Sequence, residues 1–171
     1  MSGVQVRPLV AATDAEACDA IVAGLPYHFG REDGRRACAD AVRHAGGLVA
    51  IEQGEVSGFL TYVERFDEAA EITWMAVRAD RRRRGTGHAL VDRLAELLTL
   101  EGRRILLVLT VSPNEPGSEP DDGYQATRAF YRSVGFVLGR DLPREWDGET
   151  AVVMVRSLAP EGAKAQANGF S

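Results

Sequence analysis

At 171 residues, 45% of them apolar, the chain suits one packed domain that removes roughly two thirds of its unfolded surface from water. A net charge of −5 argues against broad nucleic-acid affinity. Cys18 and Cys38 lack C-x-x-C spacing, and neither a signal-peptide core nor an apolar run near ~18 residues is present, so a disulfide scaffold and a membrane span are excluded.

A reducing, cytoplasmic setting is therefore expected, and the preference for Arg over Lys points to a GC-rich bacterial genome. Val4–Leu9 reads as a first strand. Thr13-Asp14-Ala15-Glu16 has the capping-box pattern and predicts a helix to about Ala23, stopped by Gly24 and Pro26. A second helix over about Arg35–His44 ends at Gly46-Gly47. Both cysteines fall in these Ala-rich helical patterns, where free cysteine behaves as a small core residue. Leu48–Gln53 and Val56–Arg65 form a hairpin about Gly54, and Phe66–Ala70 turns into a strand over Glu71–Val77.

A helix rich in apolar positions at 3.6 spacing runs from the glycine turn to about Glu101-Gly102. Arg104–Val111 is a buried strand, and Ser112–Gly123, with its prolines, glycines and acids, is loop. A short helix carrying Phe130-Tyr131 is closed by Gly135 as a left-handed cap. Phe136–Gly139 and Thr150–Arg156 are the last strands, separated by a turn over Pro143–Gly148. One domain over residues 1–158 results, followed by a small, polar, aperiodic tail over 159–171 expected to be mobile. The fold class is α/β: one mixed, mostly antiparallel sheet of six to seven strands with helices on both faces.

Arg82-Arg83-Arg84-Gly85-Thr86-Gly87 lies between a strand and a helix start, which makes it a candidate anion site. Unpaired peptide N–H groups and the positive end of the helix dipole meet there, glycines permit close backbone approach, and the arginines add charge. A phosphate-binding P-loop is excluded because the only lysine is Lys164, and a dinucleotide fingerprint fails at Leu90. The pattern that fits is [QR]-x-x-G-x-[GA], read as Arg82, Gly85 and Gly87. Arg78 and Arg81 read as turn residues, and the alternative of a nucleic-acid patch lacks interleaved aromatics. His28, His44 and His88 share no ligand spacing with each other or with the cysteines, so no metal site is expected.

Together with Thr127-Arg128-Ala129-Phe130-Tyr131 and the following Gly135-Phe136, this turn resembles the signatures of the GNAT-type N-acetyltransferase superfamily, over roughly Val4 to Leu158. The resemblance implies acetyl-CoA as cosubstrate. It places the pyrophosphate against Arg82, Arg83, Arg84, Gly85, Thr86, Gly87 and His88, and the pantetheine arm in a splay between the Glu71–Val77 and Arg104–Val111 strands. It also places Thr127, Phe130 and Tyr131 near the reacting end. Two departures stand out: an asparagine common seven residues before the tyrosine is Tyr124 here, and the usual small residue four before it is Thr127.

Acyl transfer from a thioester to an amine needs a proton acceptor, a donor for the developing oxyanion and support for the leaving thiolate. Glu71, fourteen residues before Gly85, is the candidate base, as in some branches of that superfamily, and alternation puts it on the face of Thr73 and Met75; a strand-end ion pair is the other reading. The oxyanion donor is a backbone N–H among Met75, Ala76 and Val77. Tyr131 is the candidate acid, although passing a proton from a phenol near ~10 to a thiol near ~8.5 is uphill by about 2 kcal/mol, which suits a hydrogen bond to sulfur better; packing beside Phe130 is the alternative. The expected activity is acetylation of a primary amine on a small molecule. Acetylation of a protein lysine or N-terminus, with Glu115, Glu119, Asp121 and Asp122 lining a groove, and a non-catalytic acetyl-CoA-binding module are the alternatives. Neither nucleic acid nor membrane is an expected partner, and a homodimer is left open.

Overall fold

A computed structural model describes residues 3–115, 123–146 and 148–158. Seven strands form one sheet in the order β1-β2-β3-β4-β5-β7-β6. In chain order these are β1 (Gln5–Pro8), β2 (Gly46–Glu52), β3 (Glu55–Phe66), β4 (Ala69–Val77), β5 (Ile105–Val111), β6 (Val137–Trp146) and β7 (Glu149–Ser157). Every pairing is antiparallel except β4 with β5. Among the described residues four α-helices pack on it: α1 (Ala11–Ala23), α2 (Glu32–His44), α3 (Thr86–Leu100) and α4 (Gln125–Ser133).

Strand alternation divides the interior into two cores. Leu48, Leu60 and Ile72 pack with Leu90 and Leu94 of α3 and Tyr131 of α4 on one face. Val49, Phe59 and Ala76 pack with Cys18 and Ile21 of α1 and Cys38 and Val42 of α2 on the other. Both cysteines are free and buried, and burial pushes their thiols up to about 12, so they serve as core residues.

Several local expectations need correction. Helix α1 begins at Ala11, ahead of the capping box centred on Thr13, because Asp14 is drawn inward. Its carboxylate accepts from the Val10 N–H at 2.8 Å and takes two bonds from Arg7, at 2.7 and 2.8 Å. Helix α2 starts at Glu32, earlier than Arg35, its first turn held by Glu32 against Arg35 and Arg36. The Pro143–Gly148 turn is mostly strand: β6 continues to Trp146, tolerating Pro143 because β6 is the sheet's edge. Gly135 is left-handed at φ 90, as its capping role requires. Expectations for residues 116–122 and for the tail over 159–171 lie outside the described residues.

β4 and β5 run together only from Ala69↔Ile105 to Ile72↔Val108. Past that point β4 stays with β3 as far as Val77↔Gly58, while β5 stays with β7 as far as Val111↔Ala151. The sheet therefore forks beyond Ile72 and Val108, leaving the facing edges of both strands without a partner strand. A bulge sits at the fork: Thr61 pairs Trp74 and Tyr62 pairs Ile72, so Thr73 is the extra residue, its Oγ1 2.8 Å from that of Thr61.

Candidate active site

The bulge changes which face each β4 side chain reaches. Ile72 belongs to the α3/α4 core and Met75 packs against it, whereas Trp74 and Ala76 join the α1/α2 side. Glu71, between Ala70 and Ile72 of the α3/α4 core, points the opposite way. The expectation that Glu71 shares a face with Met75 is thus wrong: the extra residue at Thr73 breaks the alternation between them.

A cavity of about 1490 Å³ runs through the fork. The turn from Arg81 to His88 lines it, and so do Tyr27, His28 and Phe29 from the segment between α1 and α2, and Asp33 of α2. It is also lined by Glu71–Val77, by Val108–Thr110, and by Thr127, Phe130 and Tyr131 of α4. Every proposed site residue except Arg84 lines this one space. Arg84 is exposed outside it.

At the turn, Arg83 and Gly85 adopt left-handed backbone, with φ 62 and 86. No peptide N–H from Arg83 to His88 donates to a protein acceptor among the described residues. Arg82 and Arg83 reach the cavity without a carboxylate partner among the described residues, while Arg78 is tied to Asp80 and Glu55 and Arg81 to Gln53 and Glu52. The side chain of Thr86 turns inward: its hydroxyl donates to the buried carboxylate of Glu52 at 2.6 Å, so only its backbone is offered to a ligand. Glu52 therefore pins the start of α3 to β2, a role the sequence pattern does not reveal.

The second glycine serves packing. A Cβ on Gly87 would lie 2.9 Å from the Phe130 ring and 3.1 Å from Met75 Cε, whereas nothing lies near one on Gly85. Gly87 thus lets α4 close against the start of α3. His88 extends the same contact, edge-on to Phe130 at 5.5 Å and 3.1 Å from the Ser133 hydroxyl. Buried Arg128 holds the other end of α4, donating to the Val111 carbonyl at 2.9 Å.

These contacts fix Tyr131 inside the cavity wall, 6% exposed and edge-on to Phe130 and Phe136. No group among the described residues hydrogen-bonds its hydroxyl, and burial raises its pKa above the usual phenol value. Glu71 is pinned by Arg65, whose Nε donates to Oε2 at 2.5 Å. Beside it, Phe29 and Trp74 stack at 5.9 Å, and His28 stands edge-on between Tyr27 and Tyr124. Burial and the nearby Arg82 guanidinium lower the His28 pKa, which keeps the imidazole neutral at neutral pH. Gly123 accommodates Tyr27, since a Cβ there would overlap the phenol. The sequence reading missed this aromatic wall, because residues 24–31 have no periodicity to read. Glu115, the one described residue of the expected peptide groove, accepts from the Thr150 N–H, and Glu119, Asp121 and Asp122 lie outside the described residues.

A nucleotide with a long acyl-bearing arm fits these features: a turn whose N–H groups and two guanidinium groups have no partner among the described residues, a forked sheet edge and a phenol on the wall. Among the described residues no helix is long and apolar enough to cross a membrane.

The family model for the acetyltransferase (GNAT) domain matches residues 43–138, more than half of the chain. No curated protein matches the sequence. Among solved structures, a protein described as a GNAT-family acetyltransferase from Desulfovibrio desulfuricans has a TM-score of 0.77 at 21% identity, over 92% of this chain and all of that one. The ribosomal-protein-S18-alanine N-acetyltransferase from Escherichia coli has a TM-score of 0.71 at 21% identity, over 99% of this chain and 100% of that one. An aminoglycoside 6′-N-acetyltransferase complexed with coenzyme A has a TM-score of 0.69 at 15% identity, over 91% and 98%. At these identities the likeness is one of fold.

Proposed function

Because the chain belongs to the GNAT acetyltransferase family, we propose that it moves the acetyl group of acetyl-CoA onto a primary amine of a small molecule. The observation that carries this reading is the cavity through the forked sheet, lined by both the N–H-rich turn and Tyr131. A neighbour of the same fold is described as a complex with coenzyme A, which supports the donor.

Bound acetyl-CoA supplies a thioester carbonyl to an incoming amine. The N–H groups of Arg83–His88, with Arg82 and Arg83, hold the pyrophosphate. A peptide N–H among Met75, Ala76 and Val77, on the edge of β4 that β5 has left, donates to the carbonyl oxygen as it gains charge. Thr127 and Phe130 flank the arm. Glu71 takes the ammonium proton, directly or through one water. Tyr131 keeps its proton and donates a hydrogen bond to the departing sulfur, because burial has strengthened its O–H rather than weakened it.

The fork gives the two substrates separate faces of the sheet. Met75, Phe130 and Tyr131 lie on the α3/α4 side, while Glu71, Trp74 and Phe29 lie on the α1/α2 side. In the acceptor half, Glu71 is matched by Arg65 and Asp33 by Arg31. With Glu71 and Asp33 both paired, Glu149 the one lining carboxylate without an ion pair among the described residues, and an aromatic wall, this half suits a compact amine on a flat apolar body better than a polycation or a basic peptide.

Thiol release on mixing the protein, acetyl-CoA and a panel of small amines tests the reading. Acetyl-CoA-dependent release with at least one arylalkylamine is expected. Acetylation of protein lysines or N-termini with no small-amine turnover would overturn the acceptor class, and coenzyme A binding without any transfer would favour a non-catalytic module.

A further inference from the structure

Thr110 carries a hydroxyl that the fold itself does not use. The residue is 2% exposed, and its Oγ1 has no hydrogen-bond partner among the described residues. A buried hydroxyl without a partner is destabilising relative to an apolar group of the same shape. The ligand-free fold therefore gains nothing from threonine over valine at this place.

Its position says what the hydroxyl meets. Leu106 and Val108 of β5 lie in the α3/α4 core, so alternation puts Thr110 on that same face, the face of Tyr131. Its partner in β7, Val152, belongs to the same core. Val108 is the last β5 residue paired with β4, so Thr110 stands just beyond the fork, where β4 has diverged. Thr110 and Tyr131 both line the cavity, and the Thr110 hydroxyl has no partner among the described residues. A buried, unpartnered hydroxyl from β5 thus sits in the wall of the space that the arm of the donor would fill.

We infer that Thr110 Oγ1 is a binding group for the acyl-bearing arm of coenzyme A, hydrogen-bonded to a polar group of that arm past the fork. A hydroxyl can donate or accept, so either an amide N–H or a carbonyl of the arm satisfies it. The inference rests on the cofactor reading above and adds a residue that neither signature contains.

Calorimetric titration of wild type, Thr110→Val and Thr110→Ser with CoA and separately with ADP, together with ligand-free melting curves, tests it. Thr110→Val should bind CoA about three- to tenfold more weakly, the cost of one neutral hydrogen bond, while ADP binding stays at the wild-type value. Its ligand-free melting temperature should equal or exceed wild type, and Thr110→Ser should recover CoA affinity. Thr110→Ala gives the same binding comparison should the valine variant fail to fold. Wild-type CoA affinity in Thr110→Val, or equal weakening for CoA and ADP, would overturn the inference while leaving the cofactor reading intact. No CoA heat from wild type would remove both.

Discussion

Arg65 Nε stands 2.5 Å from Glu71 Oε2, so the carboxylate at the fork faces the cavity already paired. The Glu71 side chain is 14% exposed while its partner is 48% exposed, which leaves the guanidinium in water and the carboxylate in the wall. A carboxylate held this way is oriented.

Glu71→Gln preserves the shape and removes the base. Under the proposed mechanism kcat/KM falls on the order of 10²-fold with CoA affinity unchanged. If the pair is only a strand-end contact, steady-state kinetics will stay within about twofold of wild type while the melting temperature drops.

The two glycines of the turn should fail for different reasons. Gly87→Ala forces a methyl to 2.9 Å from the Phe130 ring, an overpacking that costs about 1–3 kcal/mol. Trimming the ring with Phe130→Leu in the same chain should return part of that loss. Gly85→Ala has open space around it but a φ of 86, so it costs about 1–2 kcal/mol and Phe130→Leu does not help. Denaturant melts of the single and double variants distinguish the two; equal rescue of both would refute the packing argument.

Tyr131→Phe removes one oxygen from a buried ring. The expectation is a loss on the order of 10²-fold in kcat with little change in CoA affinity. Unchanged kcat would reduce Tyr131 to a packing residue beside Phe130 and Phe136.

Asp14 sets an acid limit on stability. Its hydrogen bonds to Arg7 hold the carboxyl below its ordinary value of 3.8. A depressed folded-state pKa stabilises the fold above the unfolded value, and that contribution is lost as pH falls from about 4 through the folded-state pKa. Asp14→Asn should cost on the order of 1–3 kcal/mol at neutral pH and flatten the acid limb of the stability curve. An unchanged acid limb in the variant would place the titrating group elsewhere.

Which features the sequence exposes follows from what each depends on. Gly85 and Arg82 are local: a left-handed turn before a helix leaves its mark within a few residues, and the turn is where the spacing puts it. The fork between β4 and β5 came from the resemblance to a family and is visible in the strand pairing. The face of Glu71 was misread because a single extra residue, Thr73, inverts every side chain that follows it, and no composition rule marks that bulge. The roles of Glu52, Thr110 and the Phe29–Trp74 pair were not legible at all. Each depends on partners, or on a lack of partners, that only the folded chain brings together.

The proposed function turns on the peptide N–H groups from Arg83 to His88 holding the pyrophosphate of coenzyme A. Titrating isotopically labelled protein with CoA while following its amide resonances tests this directly. Shifts concentrated at residues 83 to 88, and reproduced by ADP, are the predicted result. Amides of that turn left unmoved at saturating CoA would rule out that contact.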